Sequence, residues 1–159
     1  MDLLPFFQWC YSTALGETIR ESLWLFPVIE AFHLIGYGLI LGAVLIVDLR
    51  LLGAGLSRQP AAQLDASVQP WIICGVAAMA VSGILLFLSE SIKCYYSAAF
   101  WIKMACLLLA LIFMFTLRRR AVGSVKADDR PPMQARMTAL VSLALWFGVA
   151  WGGRWIGFS

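Results

Sequence analysis

From residue 23 onward the chain alternates long apolar stretches with short polar ones, and this alternation limits the possible folds more than any motif does. Residues 23–47, 71–89, 99–117 and 137–156 each come near or above the roughly 20 residues that carry a helix across a hydrocarbon layer. Residues 53–70, with Gly53, Gly55, Pro60 and Pro70, break the first stretch from the second; Glu90, Lys93, Tyr95 and Tyr96 make a short second connection. Arg118, Arg119 and Arg120 end the third stretch, and a polar loop runs over 121–136. With 62% hydrophobic and 13% charged residues and a mean hydropathy of +0.84, a soluble fold is excluded. In 159 residues, four crossings leave no room for a large catalytic domain.

Upstream of the spans, residues 2–21 mix apolar side chains with Gln8, Glu17 and Arg20. That is too polar to cross, and it suits an amphipathic helix lying in the interface with Phe6, Phe7 and Trp9 toward lipid. Residues 1–7 lack the basic start of a secretory signal, so a retained N-terminus is expected. The expected architecture is therefore all-α, an integral membrane four-helix bundle behind an interfacial helix, forming one domain over 1–159.

Charge sets the expected orientation. Arg50, Arg58, Arg118, Arg119, Arg120, Lys126, Arg130 and Arg136 fall on one side of a four-span layout, against Arg20, Lys93, Lys103 and Arg154 on the other. The positive-inside rule then puts both termini outside the cytoplasm, with Trp9, Trp24, Trp101, Trp151 and Trp155 at the outer interface. The basic residues speak of topology and not of nucleic acid. Cys10 and Cys94 share the oxidising side, where a disulfide requires their Cβ vectors to align. Gly38 with Gly42 and Gly148 with Gly152 are GxxxG pairs, expected to pack helices within the chain, with a homodimer seam as the alternative.

An ionisable side chain in hydrocarbon costs roughly 2.5–3.5 kcal/mol on insertion scales, so each one asks for a partner or a use. At ~1.5 Å rise per residue, Glu30 lies about 8 Å and His33 about 12 Å below the start of the first span, and Lys103 about 6 Å into the third. Arg154 sits at the same end of the fourth. Glu30, His33 and Tyr37 are spaced to form one stripe, and Glu30 is expected to pair with Lys103. His33, the single histidine, is a competent ligand for haem iron, copper or zinc. Haem b also needs cations for its propionates, and Lys103 and Arg154 are placed for that. A sixth ligand is open to Met104, to Met79 or to a second copy's histidine. Copper would draw on His33, Met104 and Cys106. No CxxC, CxxCH, HExxH, P-loop or catalytic triad occurs, so a stand-alone hydrolase or ATPase is not expected. At the basic end, Asp48 and Arg50 suggest a local salt bridge or cap, and the three consecutive arginines a headgroup anchor.

The string Ser22-Leu23-Trp24-Leu25-Phe26-Pro27-Val28-Ile29-Glu30-Ala31-Phe32-His33-Leu34, then Gly42, Asp48-Leu49-Arg50-Leu51-Leu52-Gly53 and Ala99-Phe100-Trp101-Ile102-Lys103-Met104, resembles an uncharacterised family of small bacterial four-helix inner-membrane proteins. More distantly, a histidine in the first span and a lysine opening the third look like the CopD copper-resistance proteins and the HemJ-type protoporphyrinogen oxidases. What these resemblances imply is an inner-membrane location and a haem or copper site around His33 and Lys103. The chain lacks a second histidine, unlike HemJ. The function expected from all this is a haem b-binding redox or electron-transfer subunit of a larger assembly, with His33 as axial ligand, Lys103 and Arg154 on the propionates, Glu30 tuning the site and Tyr37 beside the cofactor, placed to pass electrons between a quinone and an extracytoplasmic donor. The alternatives are a copper-handling membrane protein, or a structural membrane subunit whose Glu30–Lys103 pair only orders helices.

Overall fold

A computed structural model describes residues 3–157 and shows an all-α membrane bundle. Two short helices, α1 (Leu4–Tyr11) and α2 (Ala14–Glu21), precede α3 (Leu25–Leu52) and α4 (Ala61–Tyr96). Next, α5 (Ala98–Phe113) runs through a π-helical turn at Met114–Arg118 into α6 (Arg119–Gly123), and α7 (Met133–Ile156) completes the bundle. Among the described residues, four helical stretches are long and apolar enough to cross a membrane: α3, α4, α5 with its continuation to Gly123, and α7.

The expected interfacial helix over 2–21 is two helices, and Asp2 lies outside the described residues. Thr13 breaks it: its Oγ1 donates to the Cys10 carbonyl and accepts the Gly16 N–H, which ends α1 and caps α2. Phe6 and Trp9 are exposed as expected, but Phe7 turns inward against Phe87, Tyr95 and Phe100. Both short helices lie against α4. Gly16 makes this contact possible, since a Cβ there would stand 2.6 Å from the Leu88 carbonyl oxygen. Arg20 closes the junction by stacking on Tyr11 and donating to the carbonyls of Tyr11 (2.9 Å) and Ser89 (3.0 Å). The Ser89 carbonyl needs that donor because α4 leaves helical geometry at the next residue, Glu90, and kinks.

The first connection is much shorter than residues 53–70. α3 stops at Gly53 in a Schellman turn, with φ 79° and the Ala54 N–H reaching back to Leu49. α4 starts directly after Pro60. Pro70 lies inside α4 on an exposed position, where the helix forgoes the bond that its absent N–H would have made and must accommodate the ring beside the Ala66 carbonyl. Spans α3 and α4 cross where Gly36 and Gly75 meet; a Cβ on Gly75 would fall 2.8 Å from the Gly36 carbonyl oxygen and 2.6 Å from Ile40. In the fourth span, Gly148 and Gly152 admit Cys106 and Lys103 of α5, as an internal GxxxG contact should. In contrast, Gly38 and Gly42 have nothing within 4 Å of a built Cβ and do not pack the bundle. Cys10 and Cys94 are both buried as free thiols, not bridged to each other.

The basic end is held by buried charge. Arg118 donates from Nε to Asp48 of α3 (3.2 Å) and from Nη1 to Asp65 of α4 (2.8 Å). Arg118 and Asp48 are 3% and 0% exposed, so this network ties three helices through low-dielectric space. Arg50 is buried beside it and satisfies loop carbonyls instead, reaching Gln59, Ser57 and Lys126.

Candidate functional site

α3 packs on α4 and α7, and α5 packs on α7, while α4 and α5 meet little beyond their short hairpin. The bundle is therefore open along the α4–α5 seam. Near the end bearing the hairpin, the seam holds a cavity of about 440 Å³, within the usual range for small-molecule sites. Its walls are apolar, with Met79, Ile84 and Phe87 from α4, Phe100 and Met104 from α5, and Trp146 at its floor from α7. His33 and Lys103 are the two cationisable groups on its wall.

His33 is fixed by α4. The Ser82 hydroxyl donates to the Ala78 carbonyl four residues back, so its oxygen accepts from His33 Nδ1–H at 2.9 Å. The network thus assigns the Nδ1–H tautomer and leaves Nε2 with its lone pair. Gly83 gives the ring its place, because a Cβ there would come within 3.2 Å of His33 Cε1. Lys103 lies along α7 on Gly152 and Gly153; a Cβ on Gly152 would stand 2.9 Å from the lysine Cβ. Among the described residues no hydrogen bond or salt bridge to its ammonium is formed.

Four sequence expectations change here. Glu30 is exposed and forms no salt bridge with Lys103. From Glu30 to Asp48 the helix rises about 27 Å at ~1.5 Å per residue, close to the ~30 Å hydrocarbon thickness, which allows Glu30 to lie near the rim and stay hydrated. Tyr37 faces α7, donating to the Trp146 carbonyl at 2.7 Å, and does not line the cavity. Arg154 is exposed and is not part of the wall either. His33, Lys103 and Met104 do come together, with Met79 buried beside them. Cys106, proposed for copper, is directed at Gly148, where a Cβ would lie 2.8 Å from its Sγ, and is absent from the cavity wall. No cluster of three His, Cys, Asp or Glu side chains suited to a metal exists among the described residues.

The sequence reading missed Ser82, Gly83 and Trp146 as site residues, and it missed the Asp48–Arg118–Asp65 network. The only available signal was that Ser82 is a hydroxyl in the middle of an apolar span.

A family model describing a family of unknown function, DUF6644, matches residues 6–159. The chain belongs to that family. The match runs from within α1 to beyond α7, so the cavity and the buried arginine network both lie within the family's domain. No curated protein and no solved structure matches the chain.

Proposed function

We propose that this protein is a haem b-binding redox protein of the bacterial inner membrane. His33 Nε2 ligates the iron in the α4–α5 cavity, and Lys103 pairs with a propionate. The observation that carries the reading is the His33–Ser82 hydrogen bond. Ligating histidines are commonly oriented by a bond from the other ring nitrogen, which fixes the tautomer and points the lone pair at the metal. A further ligand comes from Met79 or Met104, both on the cavity wall. Glu30 and Arg154 take no part in the site proposed here.

Copper is less well served, because Cys106 is packed away from His33 and leaves thioethers as the soft donors. The structural alternative loses the Glu30–Lys103 pair on which it stood. The basic end is read as cytoplasmic, which puts the cavity in the outer leaflet, both termini outside, and the α4–α5 opening toward lipid. A lipid-soluble quinone is the redox partner that such an opening suits.

The test is a reduced-minus-oxidised spectrum with metal analysis of the purified protein. Wild type is expected to show Soret and alpha bands, with His33→Ala losing both while keeping its helical circular dichroism. Wild-type protein that stays colourless after haem titration, or that carries stoichiometric copper, would overturn the proposal.

A further inference from the structure

The cavity is open on one flank and shut at one end. Ile84 of α4 and Met104 of α5 both line it and are nevertheless 60% and 43% exposed, so they form the rim of a mouth that faces sideways into lipid. At the hairpin end, Phe87 of α4 and Phe100 of α5, which also line the cavity, stack across the seam with ring centroids 5.8 Å apart. Phe7 of α1 packs on both. Its ring centroid lies 5.3 Å from Phe87, 5.2 Å from Tyr95 and 6.4 Å from Phe100, each edge to face, and 6.0 Å from Trp101. Two of these rings belong to α4 and two to α5, so one side chain from outside the spans joins helices that meet little by themselves. Phe7 is 4% exposed, and the buried Ser91 hydroxyl donates to its carbonyl at 2.9 Å. An eight-residue helix is too short to persist alone in water, so α1 keeps its place through these contacts and through Arg20.

We propose that α1 is a strap over the water-facing end of the cavity, with Phe7 as its clasp, and that the cavity exchanges its occupant with the bilayer through the mouth between Ile84 and Met104. The ligands so admitted are membrane-dissolved ones. A solute arriving from water would have to part the aromatic rings, whose edge-to-face pairs resist separation beyond the area they bury, whereas a lipid-soluble molecule already lies against the rim. Shutting out water at that end also keeps the dielectric low around His33 and Lys103, which strengthens the charge pairing that the lysine makes with a ligand. This control of access rests on the reading of the cavity as a binding site.

Lys103 serves as the reporter, because Lys93, Lys103 and Lys126 are the three lysines of the chain and peptide mass spectrometry reads each separately. Two amine-acylating esters are compared in proteoliposomes at mildly alkaline pH: sulfosuccinimidyl acetate, present in the water on both faces, and succinimidyl decanoate, dissolved in the bilayer. In either case the amine takes the acyl group and the N-hydroxysuccinimide departs. Neither probe contains iron, so the outcome is separate from that of a haem titration. In wild type the decanoyl ester is expected to modify Lys103, and the acetyl ester to reach only Lys93 and Lys126. Phe7→Ala should raise acetylation of Lys103 about tenfold, the factor for losing two aromatic pairs. Ser91→Ala, which removes only the bond to the Phe7 carbonyl, should act in the same direction. Ile84→Trp should slow the decanoyl ester at Lys103 and leave acetylation of Lys93 unchanged. Wild-type Lys103 taking the acetyl ester as readily as Lys93 would overturn the proposal, as would protection unchanged in both Phe7→Ala and Ser91→Ala, or a decanoyl rate indifferent to Ile84→Trp.

Discussion

The orientation of His33 by Ser82 can be tested without touching the ligand itself. Ser82→Ala removes the acceptor that His33 Nδ1–H reaches at 2.9 Å. A neutral hydrogen bond contributes a net ~0.5–1.5 kcal/mol, and a buried donor left without a partner costs ~1–3 kcal/mol. His33 is half-buried, so its ring can find other partners, which puts the expected loss at the lower end, about 1.4 kcal/mol or tenfold in cofactor Kd. Fold stability should change little, because in the apoprotein the half-buried ring can turn to another partner and only ligation requires it to be held. Ser82 spends its hydroxyl hydrogen on the Ala78 carbonyl within its own helix, a bond that slightly weakens helices, and alanine is the better helix former. Haem titration followed at the Soret band, alongside a thermal melt of the apoprotein, separates the two effects. About tenfold weaker binding with an unchanged melt is the expected pair of results. Binding within about twofold of wild type would refute the argument that this bond orients the ring, and parallel loss of binding and melting temperature would show that the serine acts through packing.

Other substitutions probe the bundle. Gly75→Ala should destabilise by ~1–3 kcal/mol because its Cβ meets Ile40 and the Gly36 backbone, whereas Gly38→Ala, with open space around it, should leave a detergent unfolding curve unchanged. Asp48→Ala should cost about 3 kcal/mol in the same assay, the lower end for a broken buried pair since Asp65 still holds Arg118, and replacing both Asp48 and Arg118 by apolar residues should restore much of it. Arg20→Ala frees the Ser89 carbonyl at the kink and the end of α1, so hydrogen exchange should rise in 4–21 and near Glu90 while the cores of α3 and α7 stay protected.

The fold was legible wherever one physical quantity decided it. Apolar length alone marks the four spans, because lipid removes the alternatives, but it does not mark helix ends that project beyond lipid. Residues 61–69 are polar enough to read as loop and are nonetheless helix, held by the pairing of Asp65 with an arginine of another span. The site was half legible for a related reason. Depth along a helix follows from counting residues, so His33 and Lys103 could be assigned to the same end of the layer, and they do line one cavity. Azimuth was read too coarsely: three residues turn a helix by about 300°, which leaves Glu30 some 60° away from His33 and outside the bundle. The histidine's serine and the partners of Arg118 belong to helices far away in sequence, and no spacing rule reaches them.

The wide turn at Met114–Arg118 has a consequence for how the third span can vary. Ala110, Met114, Arg118 and Val122 are all buried, each four positions after the last. An ordinary α-helix overshoots a full revolution by about 40° every four residues, so a run of three such steps would swing Val122 roughly a third of a circle out of line. The π-helical hydrogen bonds absorb that phase error. Trimming a single amino acid here would return the helix to its regular winding and send the guanidinium of residue 118 out among the acyl chains, leaving Asp48 facing nothing. The length of this stretch is thus as much a constraint on the domain as the identity of any side chain within it.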